Sequence, residues 1–167
     1  MKKTIFALMA IAVLGLASCQ KTETPDPEPT ASETVEGTYT GTMTVTIPSF
    51  IPGGDPAVTE LPDQTIDILA NGDTAIDLVI TDFALEGLTL GTISLVECPL
   101  TENAADGTIT TASDQTISVS DIGDCDITMG GTFGESTASL DLQITPAVFP
   151  LNVSVHFDGT RAETDAE

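Results

Sequence analysis

The chain has 167 residues, 41% hydrophobic, 4% aromatic and 18% charged, and its 26 acidic against 4 basic side chains give a net charge of −22. A chain of that charge repels nucleic acid and anionic lipid surfaces, so neither is expected as a partner held by charge. The hydrophobic fraction excludes general disorder, and the length suits one domain with a core of its own.

Lys2 and Lys3 precede an apolar and small-residue run from Ile5 to Ala17. As a helix this run rises about 20 Å, well short of the roughly 30 Å hydrocarbon core, so residues 1–18 read as a signal peptide. Leu16-Ala17-Ser18-Cys19 resembles the bacterial lipobox. That resemblance implies that Cys19 opens the mature chain, with diacylglycerol on its sulfur and a further acyl group on its nitrogen. Two or more acyl chains anchor stably where one binds only marginally. The alternative is an ordinary secretory signal and a soluble mature protein. Cleavage before Cys19 removes Lys2 and Lys3 and no acid, so 2 basic against 26 acidic side chains leave the mature chain at −24.

Residues 19–36 read as the lipidated cysteine and a linker, because "QKTETPDPEPTASETVE" has no apolar periodicity and its alternating prolines favour polyproline II. At about 3.1 Å per residue the linker reaches up to roughly 50 Å. Its acids resemble the export signals of Bacteroidetes lipoproteins, which implies an outer membrane location, on the periplasmic face or at the cell surface.

The domain is predicted over 37–160, with a disordered tail at 161–167. "GTYTGTMTVTI", Gly37 to Ile47, alternates with period two, placing Tyr39, Met43, Val45 and Ile47 on one face and threonines on the other. The proline-rich segment from Ser49 to Asp63 predicts a loop. In "QTIDILANGDTAIDLVITDF" a three-residue loop, Asn71-Gly72-Asp73, sets Ile68 opposite Ile76 and Ile66 opposite Leu78, keeping one apolar face. Further strands are predicted over 90–98, 115–121, 126–133, 137–145 and 151–159, and no amphipathic helix in the mature chain. Eight strands at short spacing predict an all-β fold, a single antiparallel up-and-down barrel, with a β-sandwich as the alternative.

Few residues carry chemistry. With Cys19 lipidated, Cys98 and Cys125 form an even pair in a compartment where disulfides persist, and a bridge between them is expected, with two separate thiols as the alternative. His156, the single histidine, falls by parity on the outer face, which argues against a nucleophilic triad. "DIGDCD", Asp121 to Asp126, lacks the spacing of a calcium loop, so no metal and no cofactor is expected. Asp73-Thr74-Ala75 resembles the O-glycosylation sequon of exported Bacteroidetes proteins and marks Thr74 for modification.

"GTYTGTMTVTI", "ITDFALEGLTLGTISL" and "LNVSVHFDGT" together resemble the calycin-like β-barrel lipoproteins of the Bacteroidetes over 37–160. The resemblance implies an eight-stranded barrel on a lipid tether and no particular activity. The expected function is a non-catalytic, membrane-anchored exported lipoprotein whose barrel binds a small-molecule or lipid-like ligand, with Tyr39, Met43, Val45, Ile68, Leu78 and Phe157 as candidate cavity lining. The alternative is a structural or interaction lipoprotein with a filled barrel. An interior void above roughly 300 Å³ separates the two. No protein partner can be read from the sequence.

Overall fold

The alternation over Gly37–Ile47 becomes the first strand of a closed barrel. The computed structural model describes residues 28–162 apart from 86–87, 120–122 and 149–151. A short helix, α1 (Ala31–Val35), precedes β1 (Gly37–Ile47), β2 (Ala57–Ala70), β3 (Ala75–Leu85), β4 (Leu88–Glu102), β5 (Ile109–Val119), β6 (Gly123–Phe133), β7 (Thr137–Pro146) and β8 (Val153–Arg161). All neighbours are antiparallel and consecutive, and β8 returns to pair with β1 from Thr46↔Ser154 to Tyr39↔Arg161. Closure removes the free sheet edges that a sandwich would keep.

Period two decides what goes inside. Tyr39, Met43 and Val45 of β1 meet Phe157 and Val155 of β8, Leu140 and Leu142 of β7, and Ile66 and Ile68 of β2 in one buried cluster. Each buried Leu, Ile or Phe is worth about 1.5–3 kcal/mol, so a core with few aromatics reaches stability through many aliphatic side chains. The threonines of β1 lie outside, opposite Thr160, Asp158, His156 and Ser154 of β8. At Gly41 the strands approach so closely that a Cβ would collide with the Asp158 carbonyl oxygen, which is why no larger residue fits there.

Five expectations are corrected. The loop predicted over 49–63 ends at Pro56, and β2 begins at Ala57 in spite of Pro62. Pro62 is accommodated by a bulge: Gly41 pairs with Gln64 and Met43 with Leu61, so Thr42 faces both Pro62 and Asp63, and Asp63 takes φ +55°. The β2–β3 hairpin pairs Ile68 with Leu78 and Ala70 with Ile76, two residues out of the predicted register. A shift of two conserves every face, so the apolar pattern could not detect it.

The linker ends in a helical turn rather than running extended to Glu36. Thr30 and Glu33 form a capping box, and α1 buries Ser32 and Val35. The barrel also includes Arg161, the last residue of β8, where the sequence predicts the start of a disordered tail. Finally, Cys98 and Cys125 are separate buried thiols with no bridge. Cys98 lies beside Ser113 of β5, whereas Cys125 pairs with Ile117 of the same strand. Two strand spacings and four residues of rise hold them roughly 16 Å apart along the wall, and a disulfide needs Cα atoms within about 7 Å.

Candidate functional site

The expected cavity residues come together, but as packing. Tyr39, Met43, Val45, Ile68, Leu78 and Phe157 are each at most 1% exposed and belong to one contiguous core. Tyr39 donates its hydroxyl to the Val35 carbonyl at 2.9 Å and meets the Phe133 ring at a centroid distance of 6.2 Å. Burial raises the Tyr39 pKa against the opposing pull of Arg161.

One end of the barrel is closed by α1. Ser32 donates through Oγ to the Gly72 carbonyl at 2.5 Å, fixing the turn of helix on the β2–β3 loop. Arg161, the one Lys or Arg among the described residues, directs its guanidinium to the carbonyls of Thr34 at 2.7 Å, Glu36 at 3.2 Å and Glu135 at 2.7 Å. It therefore joins the chain leading into β1 to the β6–β7 loop. Thr74 lies exposed in the β2–β3 loop at this end, and its carbonyl accepts from the Leu100 N–H.

The opposite end presents apolar side chains. Phe50 and Ile51 in the β1–β2 loop, Val58 on β2 and Val148 after β7 are 60% exposed or more. An open surface pocket of about 350 Å³, outside the barrel core, is lined by Ile47, Pro48, Phe50 and Ile51 at the end of β1 and in the β1–β2 loop.

The wall is not uniformly laddered. β2 pairs with β3 over Asp67–Ala70 and Ile76–Val79, and β4 pairs with β5 over Leu100–Glu102 and Ile109–Thr111, both toward the α1 end. Beyond these pairs, Gln115 of β5 holds β4 by its side chain, accepting from the Val96 N–H and donating to the Val96 carbonyl. At the neighbouring bulge Glu97 takes φ +52° and its N–H bonds to the Asp77 carboxylate.

On the outer face His156 is held between two carboxylates, with Nδ1 2.8 Å from Asp141 and Nε2 2.9 Å from Asp158. The Asp141 contact chiefly raises its pKa, opposed by partial burial and aided by Asp158. Asp158 is held low, first by a hydrogen bond from Ser139 and then by His156. With both ring nitrogens engaged by acids, and Ser139 bonded to a carboxylate, this is a surface network without a nucleophile–base pair. The two buried thiols are also pushed up, each mainly by burial and further by nearby aspartates, Asp77 for Cys98 and Asp124 and Asp126 for Cys125. A raised thiol pKa makes for an inert sulfur.

Among the described residues no three His, Cys, Asp or Glu side chains gather as a metal site. Asp124 and Asp126 instead accept from Ser118 and Thr116 across the β5–β6 pair, and Asp121 lies outside the described residues. Cys19, the signal peptide and most of the linker also lie outside them. The linkage of His156 to Asp158 was half visible in the sequence, since the two are i and i+2 on one strand face. Asp141, Gln115 and Arg161 depend on strand register and left no local signal.

In fold the protein is similar to the crystal structure of a protein from Bacteroides fragilis NCTC 9343 provisionally named as an outer membrane protein, with a TM-score of 0.62 and 16% identity. The match covers 78% of this chain and 52% of that one, so the chain spans about half the length of that neighbour. No curated protein matches the chain. Residues 35–160 match the model of the calycin-like beta-barrel domain, which begins at the Val35 that α1 packs into the core. The chain belongs to the calycin-like β-barrel domain family.

Proposed function

We propose that the protein is a non-catalytic lipoprotein of the outer membrane, anchored through acylated Cys19, whose filled barrel is a scaffold that presents its outer face and rims to partners. The observation that carries this reading is the interior: the six side chains expected to line a cavity are instead fully buried in one core cluster. Exposed Phe50 and Ile51, adjacent in the β1–β2 loop and lining one open pocket with Ile47 and Pro48, support it, because neighbouring apolar side chains on a surface mark contact sites. The outer-membrane name of the B. fragilis neighbour supports the location.

A second reading, an apolar ligand held inside, is favoured by the short ladders on both sides of the β3–β4 hairpin, where the wall can part without breaking backbone pairs. Native mass spectrometry of protein extracted from its own host tests both. The scaffold reading expects a chain cleaved before Cys19, acylated there and free of any carried molecule; a glycan at Thr74 would register in the same spectrum. An unmodified Cys19 overturns the anchor, and a stoichiometric apolar passenger overturns the filled scaffold.

A further inference from the structure

The two most exposed large apolar side chains among the described residues sit side by side at the tip of the β1–β2 loop, with Phe50 81% and Ile51 72% exposed. They line an open pocket with Ile47 and Pro48. No charged residue occurs from Gly37 to Gly54, although the chain as a whole carries 26 acids. Exposed Val148, in the β7–β8 connection, belongs to the same end of the barrel.

The backbone of the tip is as poor in free donors as its side chains are in charge. Pro48 and Pro52 carry no N–H, the Ile51 N–H donates to Ser49 Oγ at 3.1 Å, and the Ile51 carbonyl accepts from the Gly54 N–H at 2.9 Å. A protein strand that docks through a backbone ladder needs a run of free donors and acceptors. Hydrocarbon penalises unpaired backbone groups, so a loop that satisfies its own suits lipid instead. Asp55, which also lines the pocket, limits entry to the tip.

The reach of the anchor decides which surface the tip meets. α1 and Arg161 lie at the opposite end of the barrel from Phe50. The 11 residues of β1 rise about 3.3 Å each at a tilt near 40°, so the barrel stands roughly 28 Å tall. From Cys19 to Pro29 the chain has a reach of about 34 Å at about 3.1 Å per residue. That is enough for the domain to turn over and set its tip on the bilayer that holds Cys19. Tethering makes the contact intramolecular, so two apolar side chains meet lipid at high effective concentration. The negative charge of the domain repels anionic headgroups, which leaves a zwitterionic surface.

We propose that Phe50 and Ile51 insert into the interfacial layer of the same zwitterionic bilayer that carries the acyl chains of Cys19, giving the domain a second attachment point and turning its α1 end outward. The inference rests on the anchor of the proposed function and names lipid as what the apolar pair contacts.

The chain has no tryptophan, so Phe50→Trp, made in the host and purified with its acyl chains, carries a single reporter. In vesicles of dioleoylphosphatidylcholine its emission should shift to the blue. Bromines in the upper acyl chain should quench it about twofold, since interfacial side chains sit roughly 5–10 Å deep. Glu135→Trp, in the β6–β7 loop at the α1 end, should not be quenched, and adding Ile51→Asp to Phe50→Trp should abolish quenching. Circular dichroism checks the fold, and Ile51→Trp, at an equally exposed site, supplies the reporter if Phe50→Trp is unfolded. Protein that floats with the vesicles yet shows no quenching at position 50 overturns the proposal and leaves the anchor intact. Protein that does not float overturns the anchor, and the proposal with it. A blue shift without quenching means that a second copy or another chain covers the pair, and it overturns the proposal. So does equal quenching at position 135, or quenching that survives Ile51→Asp.

Discussion

The side-chain amide of Gln115 stands in for a backbone partner of Val96, donating to its carbonyl at 2.6 Å and accepting from its N–H at 3.2 Å. A glutamine therefore closes the wall where the β4–β5 ladder has ended at Leu100. The outer half of the β3–β4 hairpin rests on this clasp and on the packing of Ile80, Phe83, Ile93 and Leu95.

Hydrogen exchange should follow that division. Amides of Ile80–Phe83 and 91–96 are expected to exchange before those of β6, β7 and β8, whose ladders are continuous. Gln115→Ala should speed exchange at Val96 and lower stability by about 1–2 kcal/mol, because it leaves a backbone donor and acceptor without their partner. Uniform protection around the barrel would contradict this account.

Arg161 fastens three carbonyls, and only a fork-shaped donor reaches both the Thr34 side and the Glu135 side. Arg161→Ala is expected to lower the urea-unfolding free energy by about 2–3 kcal/mol, the scale of lost charge-assisted bonds. Arg161→Lys should recover less than half of that loss. Full recovery by lysine would show that charge alone matters.

The pH dependence follows from His156. Its folded pKa is raised, so its contribution is complete below the unfolded value of about 6.5 and is lost as pH rises through the folded one. The site is substantially exposed, which keeps the contribution below about 1 kcal/mol. Denaturant titrations of His156→Gln against the parent should therefore differ most below about pH 6.5 and converge as pH rises through the raised folded value. A difference that grows with pH would reverse the assigned sign.

Cys98 and Cys125 should both be unreactive toward a thiol reagent in the folded protein and both titrate on unfolding without reductant. Recovery of neither thiol from non-reduced protein would establish the bridge that strand register argues against.

The fold was legible because its signal is local. Alternation along Gly37–Ile47, Thr137–Thr145 and 151–159 is enough to assign faces, and eight such runs with short turns leave few architectures. What was missed lies in register. The β2–β3 hairpin slipped by two residues with its apolar face intact, and Pro62 hid a strand because a bulge, invisible in sequence, absorbs it. The turn of α1 depends on a capping box, Thr30 to Glu33, that was readable but lay in a proline-rich context. The candidate cavity residues do face inward, and parity cannot distinguish lining a void from filling it. The pairing of His156 with Asp141 across β7 and β8 likewise required two strands in known register.

The central claim, a filled barrel used as a scaffold, is tested most directly by an experimental structure of the protein extracted from its own membranes. The account predicts continuous side-chain density through the interior, with Tyr39, Met43, Leu78 and Phe157 in mutual contact. A ligand in the barrel, or an interior void above roughly 300 Å³, would contradict it.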